Sequence, residues 1–271
     1  MLKKRFLNFI ILVVSILTIA SCSNYEKLLK STDYNLKYTK ALEYYQKKDY
    51  ARAVSLFEQV VNVFRATTKG DSVMYYYAKC YYGEEDYLMA GHYFKEIAEN
   101  YARSPFVQES SYMVGYCLYM DSPRPSLDQE NTTNSIQEFQ KFIYKNPDSK
   151  YVPECKRLIE EMHNKLAEKA YLNAKLYYHV GSANPLYYKS AIITLQNCLS
   201  EFPDNKYREE ITYMILESNY LMAENSIPEK RIERYQSTLD EYYSFAAEFP
   251  KSKFSLDAEK IYKSTKQILG L

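Results

Sequence analysis

The sequence contains no tryptophan, and of its 271 residues only six are glycine and nine are proline. Glycine and proline interrupt helices and mark tight turns, so their scarcity favours helices over many short strands. No stretch alternates strictly between apolar and polar residues, as a half-buried strand would. Neither GxSxG, HExxH nor a phosphate-cradling glycine loop occurs. The sequence therefore predicts an all-helical protein that is not an enzyme.

The chain also lacks a surplus of charge. Without residues 1–21 it holds 32 Lys and Arg against 34 Asp and Glu, a net charge of −2. No basic stripe interrupts this balance, and nucleic acid is therefore not an expected partner.

No apolar run is long enough to cross a bilayer comfortably. Residues 3–5 are Lys-Lys-Arg, and the apolar run over 6–20 has 15 residues, the length found in signal peptides. It ends in Ile-Ala-Ser-Cys over 19–22, which resembles the lipobox of bacterial lipoproteins. In that motif small residues admit the peptidase, and the cysteine thiol takes the diacylglycerol. The alternative is an ordinary cleavage site with Cys22 incidental.

We expect a lipoprotein signal peptide over 1–21 and a lipidated tether over 22–33. The diacylglycerol and N-acyl lipid on Cys22 would be the one attached group, with no cofactor and no metal. Because Ser23 rather than Asp follows the cysteine, we expect sorting to the outer membrane. The domain would then hang into the periplasm from its lipid anchor.

The other four cysteines do not form a metal-binding pattern. None lies in a CxxC pair, and none of the three histidines lies near them at a ligand spacing; they are Cys80, Cys117, Cys155 and Cys198. Free cysteine behaves as a small apolar residue, which favours buried thiols. Disulfides stay open as an alternative, because the periplasm oxidises thiols.

A recurring phrase of an aromatic or Asn, proline and a polar turn closes three helical stretches. It reads NPDSKY over 146–151, FPDNKY over 202–207 and FPKSKF over 249–254. Five helical stretches, these three among them, also place a small residue four positions before a large one, on one helix face; the pairs are Ala53 and Phe57, Ala90 and Phe94, Ser135 and Phe139, Ala191 and Leu195, Thr238 and Tyr242. The preceding helices supply small residues at Ala41, Ala78, Gly115, Ala174 and Ser218.

Repetition at this period predicts a right-handed α-solenoid of about five tetratricopeptide-like helix pairs. Repeats 1–3 would occupy 34–147, and repeats 4–5 with a C-terminal capping helix would occupy 148–271. The capping helix is expected over Leu256 to Leu269, with apolar residues at Leu256, Ile261, Ile268 and Leu269. Solenoids of this kind usually hold other proteins.

The 31 tyrosines include pairs seven residues apart on the first helices, which lie on one helix face. We call them the tyrosine ladder: Tyr38 and Tyr45, Tyr75 and Tyr82, Tyr112 and Tyr119, Tyr171 and Tyr178, with Tyr116 between two of them. Tyrosine offers a large amphipathic contact area, so the ladder is a candidate groove for an extended, aromatic-rich polypeptide. The alternative is packing between repeats, as expected for Tyr44, Tyr81 and Tyr177. Repeat 5 breaks the ladder with Ile215 and Met222.

A loop in repeat 3 carries the most specific resemblance. It comprises Ser122, Pro123, Arg124, Pro125, Ser126, Leu127, Asp128 and Gln129, and leads into Thr132 and Ser135. With the lipobox and the repeats, it resembles the family of the outer-membrane protein assembly factor BamD, from Cys22 to about Ile268.

The resemblance implies a non-enzymatic periplasmic scaffold of the β-barrel assembly machinery, at the outer membrane. Its implied partners are the barrel-inserting component and unfolded outer-membrane β-barrel precursors. The N-terminal repeats would receive precursors, and the C-terminal repeats would dock on the barrel component.

Two other functions stay open, a second kind of scaffold and a binding protein of another class. A tetratricopeptide envelope scaffold for peptidoglycan synthesis or division would share the architecture, and a glycan-binding uptake lipoprotein would stack sugars on tyrosine. For an enzyme there is only a partial metal-like cluster of Glu160, Glu161 and His163, better explained as charges on a solvated helix face.

Overall fold

The computed structural model describes residues 24–271, in which all regular secondary structure is helical. The predicted signal peptide and Cys22 lie outside the described residues. Helical residues 24–29 come first. The eleven helices that follow are α1 (Tyr34–Gln46), α2 (Tyr50–Phe64), α3 (Gly70–Gly83), α4 (Tyr87–Asn100), α5 (Val107–Met120), α6 (Glu130–Lys145), α7 (Val152–Ala183), α8 (Tyr187–Glu201), α9 (Arg208–Glu224), α10 (Pro228–Glu248) and α11 (Ser255–Leu269).

Aspartates define where several helices begin. The side chain of Asp33 accepts a hydrogen bond from the Leu36 amide (2.9 Å) at the start of α1. Asp49 and Asp86 cap α2 and α4 in the same way. A carboxylate there satisfies an amide that has no partner inside the helix and interacts favourably with the helix dipole. These caps fix the tight turns within the first two helix pairs.

The chain divides into two compact units, and the division falls inside α7. Among the described residues, the first unit comprises those up to Ser122 together with Glu130–Leu158. The second comprises Pro123–Gln129 and Ile159–Leu271. Helix α7 is continuous over 32 residues, so no turn in the chain marks the boundary.

The first unit is built from the pairs α1–α2, α3–α4 and α5–α6. The predicted small and large core residues of these pairs are buried: Ala41, Ala53, Phe57, Ala78, Ala90, Phe94, Gly115, Ser135 and Phe139. At Gly115 the approach is so close that an added Cβ would lie 2.8 Å from the Phe139 ring. Small residues therefore let the paired helices touch while large ones fill the space between pairs.

The second unit contains α8–α11 and most of α7. Ala174, Ala191, Leu195 and Cys198 pack in one cluster with Ile211 and neighbouring residues of α9. The prediction that Tyr177 fills inter-repeat packing is wrong, since its side chain is 40% exposed. The described residues form five tetratricopeptide-like helix pairs and a final helix, as the sequence predicts.

The final helix α11 buries only Ile261 of the four apolar residues predicted to close the stack. Ala258, Ile261 and Thr265 are buried against the unit, whereas Leu256 is 74% and Ile268 41% exposed. The buried residues follow an i, i+3, i+7 spacing that keeps them on one face. Leu256 lies off this face, whereas Ile268 lies on it, seven residues after Ile261, and is exposed near the end of the helix.

Candidate functional site

The first tyrosine of three ladder pairs is a packing residue. Tyr75, Tyr112 and Tyr171 are only 7%, 8% and 4% exposed. Each ring stacks on the aromatic ring that precedes a later first helix, with centroid distances of 4.2 Å for Tyr75–Phe106, 4.5 Å for Tyr112–Tyr151 and 4.0 Å for Tyr171–Tyr207. These stacks join consecutive helix pairs and leave the three tyrosines little surface for a ligand.

The same stack corrects the predicted register of repeat 5. Tyr213 stacks on Phe254 with centroids 4.4 Å apart and the planes within 5° of parallel. It also contacts Phe245 at 6.0 Å. Tyr213 therefore occupies the first ladder position, where the sequence pattern predicts Ile215, and Tyr220 lies seven residues further. The predicted break in the ladder was wrong.

The first repeat replaces one ring of the stack by a cation. The Lys69 ammonium lies 5.8 Å from the centroid of the Tyr38 ring. The Tyr38 hydroxyl shares a hydrogen bond of 2.8 Å with Ser72. Tyr38 is half-buried, and these contacts tie α1 to the start of α3.

The second ladder position is less buried. In the first unit, half-buried tyrosines contact one another, with centroid distances of 5.2 Å for Tyr45–Tyr76, 6.2 Å for Tyr82–Tyr116 and 5.7 Å for Tyr116–Tyr119. We call these five residues the aromatic band. Sequence reasoning missed Tyr76, although it directly follows Tyr75 in a run of three tyrosines.

Two phenols of the band, those of Tyr45 and Tyr82, have a raised pKa. Burial raises the pKa of the Tyr82 phenol to about 12, and neighbouring phenols add to the effect. Burial also raises the pKa of Tyr45. Such phenols keep their protons and can donate hydrogen bonds to a polypeptide carbonyl. The band therefore combines apolar rings with polar edges.

Ladder tyrosines of the second unit instead donate to carboxylates of α9. The Tyr171 hydroxyl donates to Glu210 (2.7 Å), and Lys175 donates to the same carboxylate (2.8 Å). Tyr178 donates to Glu217. Burial alone would raise the pKa of Glu210, but the bonds from Lys175 and Tyr171 hold it below its ordinary value. Here the tyrosine hydroxyls are committed to internal contacts.

The loop over 121–129 is organised by a buried glutamine. Gln129 is 5% exposed, and its Nε2 donates to the carbonyls of Arg124 (2.9 Å) and Leu127 (3.3 Å). Lys169 also donates to the Leu127 carbonyl (2.8 Å). The side chains of Leu127 and Arg124 are exposed. Gln129 therefore fixes the loop conformation, and the loop presents Leu127 to solvent.

The flanks of this loop are held separately. The Ser122 hydroxyl shares a hydrogen bond with Thr132, and Asn131 donates to the Asp121 carboxylate (2.8 Å). Pro123 and Pro125 restrict the backbone between these contacts. Asp128 is exposed. The hydrogen bonds at both flanks and the two prolines together give the loop a defined conformation.

All four cysteines of the described residues are free and buried, which confirms the interpretation as buried thiols. Burial raises the pKa of Cys80 and Cys117 to about 12, and that of Cys155 and Cys198 to about 11. A protonated, buried thiol is a poor nucleophile and a poor metal ligand. These residues belong to the core.

Other kinds of site find no support within residues 24–271. There, no group of three or more His, Cys, Asp and Glu side chains could hold a metal ion. Glu160, Glu161 and His163 lie along α7 without forming such a group. None of the described helices combines the length and apolar character needed to cross a bilayer.

The helix pairs thus define a scaffold of the tetratricopeptide type, and comparison with known proteins identifies its family. Residues 31–183, more than half of the chain, match the family described as YfiO, outer membrane lipoprotein. The chain belongs to this family of outer membrane lipoproteins, and the resemblance stated from the sequence is confirmed. As a member it is a non-enzymatic scaffold.

A relative in Aquifex aeolicus (strain VF5) bears the provisional name outer membrane protein assembly factor BamD. It is 28% identical over 239 residues, which cover 88% of this chain and 74% of the relative. Two solved structures each align with 86% of this chain and 98% of their own length. One is a thermophilic tetratricopeptide protein of Thermus thermophilus (15% identity, TM-score 0.32) and the other is the TPR2AB domain of yeast Sti1 in a pHSP90 complex (11%, 0.38).

Proposed function

We propose that this protein is an assembly factor of the outer membrane, anchored on its periplasmic face by lipid on Cys22. It receives unfolded β-barrel precursors on the aromatic band of its first unit and docks on the barrel-inserting component through its second unit. Membership of the lipoprotein family and the name of the Aquifex relative support the role. The aromatic band supports the precursor site.

The assignment of precursors to the first unit depends on a difference between the two units. In the first, the Tyr116 ring contacts the rings of Tyr82 and Tyr119. In the second, Tyr171 and Tyr178 donate to glutamates. Half-buried rings with donor hydroxyls suit an extended polypeptide, because they offer contact area at little entropic cost. Tyrosines whose hydroxyls already donate to carboxylates have fewer hydrogen bonds to offer a polypeptide.

The assignment of docking to the second unit depends on exposed apolar side chains near the chain end. Ile232, Tyr243 and Leu271 are 51%, 54% and 72% exposed. With Leu239 and Leu269 they line a cleft of about 270 Å³. Apolar side chains around a cleft are typical of a protein interface, because covering them removes apolar area from water.

Two matched double variants test the division. Tyr82→Ala with Tyr116→Ala is expected to lower crosslinking of an unfolded barrel precursor about tenfold, since truncating an aromatic anchor commonly costs more than about 1 kcal/mol. Ile232→Ala with Tyr243→Ala is expected to lower co-purification of the barrel component instead. Each double variant is the control for the other. Loss of both activities in either variant, with the fold intact by circular dichroism, would contradict the division.

Anchoring is tested separately. Cys22→Ala is expected to move the mature protein from the membrane fraction to the soluble periplasmic fraction and to abolish fatty-acid labelling. If the variant stayed in the membrane fraction after a high-salt wash, without label, anchoring by lipid would be overturned.

A further inference from the structure

The first residues after the proposed anchor are fixed to the first helix pair. The Tyr25 ring packs edge-on against Tyr44 with centroids 5.6 Å apart, and its hydroxyl donates to the Arg52 carbonyl (3.1 Å). Lys37, only 4% exposed, donates to the Leu29 carbonyl (3.0 Å) at the end of the helical residues. From Tyr25 onward, therefore, the chain is part of the folded body.

This end of the protein is positively charged, in contrast with the rest. Residues 24–48 hold six lysines against three acidic residues, so their net charge is +3. Since the mature chain has a net charge of −2, the residues after 48 are acidic overall. A basic segment in an otherwise acidic chain can attract the first helix pair to an anionic surface.

Three of these lysines meet at one cleft. Lys27, Lys40 and Lys47 line a cleft of about 530 Å³ that is also lined by the rings of Tyr25 and Tyr44. Lys40 is paired with Glu43 (2.8 Å), whereas Lys27 and Lys47 are exposed. Lys30 and Lys48 are exposed as well. The cleft thus gathers positive charge, with apolar rings beside it.

We propose that this lysine-lined end docks on anionic phospholipid headgroups of the membrane that holds the anchor. The inference rests on the proposed lipidation of Cys22, because that cysteine lies only two positions before Asn24. Two residues span at most about 7 Å, which is within the Debye length of about 8 Å at physiological salt. The lipid holds the protein at the bilayer, and the lysines orient its first unit against the surface.

The test uses the mature chain (residues 22–271) with Cys22→Ala, so that only the surface is measured. Its sedimentation is followed with vesicles of phosphatidylglycerol and phosphatidylethanolamine, and with vesicles of phosphatidylcholine. The variant carries Lys27→Gln, Lys30→Gln, Lys47→Gln and Lys48→Gln. The control removes the same charge elsewhere, by Lys156→Gln, Lys189→Gln, Lys230→Gln and Lys251→Gln, all at exposed positions.

We expect preferential binding to the anionic vesicles, lost in about 0.5 M salt because screening shortens the reach of the charges. The N-terminal variant should bind at least about tenfold more weakly, since each lysine near an anionic surface contributes about fivefold. The control should lose less than about threefold, because its lysines lie outside the first helix pair and do not line the cleft. Equal binding to both kinds of vesicle, or an equal loss in the control, would overturn the proposal. Failure of fatty-acid labelling on Cys22 with this preference intact would count against the anchor alone.

Discussion

At the scale of single residues, the 31 tyrosines have more than one role. Tyr75 is buried and stacked on Phe106, so its ring joins two helix pairs. Tyr82, seven residues along the same helix, is half-buried and contacts the rings of Tyr87 and Tyr116. One spacing in the sequence therefore serves both stability and a candidate surface.

Replacing Tyr75 should separate these roles. We expect Tyr75→Ala to lower the free energy of unfolding by about 3 kcal/mol or more, because it removes a buried aromatic ring and its stack. Tyr75→Phe keeps the ring, and should cost about 1 kcal/mol or less. Urea denaturation followed by circular dichroism measures both. A small loss for Tyr75→Ala would contradict the stacking role.

The cysteines yield a second prediction at this scale. Burial covers the thiols and raises the pKa of each, to about 12 for Cys80 and about 11 for Cys155, so little thiolate is present at about pH 8. In the Cys22→Ala variant we expect almost no reaction with Ellman's reagent in buffer and reaction of all four thiols once urea unfolds the chain. Rapid reaction of a thiol in buffer would show that its site opens to solvent.

At the scale of elements, the first two helix pairs turn through one residue in the left-handed backbone region. Lys48 has φ of 58° and Glu85 has φ of 62°, and neither is glycine. The aspartate cap that follows each turn fixes this conformation. For a side chain with Cβ, this conformation costs about 1 kcal/mol.

Glycine at the second turn should therefore stabilise the protein. We expect Glu85→Gly to raise the free energy of unfolding by about 0.5–1 kcal/mol, because glycine adopts positive φ without steric cost. The neighbouring Glu84 has φ of −88°. Glu84→Gly is the matched control, and should be neutral or destabilising, since it only adds freedom to the unfolded chain. Thermal melts of both variants measure the change in stability. Equal changes would argue against relief of backbone strain at Glu85.

Local patterns predicted the helix pairs but not the details that depend on distant contacts. The spacing of Ala53 and Phe57 places both on one face whatever lies beyond the helix. In α9, by contrast, Tyr213, Ile215 and Leu216 all suit a buried face, and all three are buried. Only the stack of Tyr213 on the distant Phe254 ring selects the register. In α11, too, contacts with distant residues select which apolar side chains are buried, so the sequence pattern alone could not predict them.

At the scale of the whole molecule, burial shifts the pKa values of tyrosines and cysteines in the core in the same direction. Burial raises the pKa of the four thiols and of many phenols, including Tyr82 to about 12. Ordinary values are 9.0 for a thiol and 10.0 for a phenol. Above about pH 9 the unfolded chain therefore releases protons that the folded chain retains.

The fold should consequently weaken on the alkaline side. The free energy of unfolding depends on pH through the difference in protons bound by the two states, and falls where the folded state binds more. We expect full stability from these groups below about pH 9 and a progressive loss between about pH 9 and pH 11 to 12, as the midpoint of urea unfolding at fixed pH steps would reveal. Tyrosinate absorbance should rise with unfolding, because the buried phenols ionise only when they are exposed. A midpoint that stays constant over this alkaline range would contradict protection of these groups by burial.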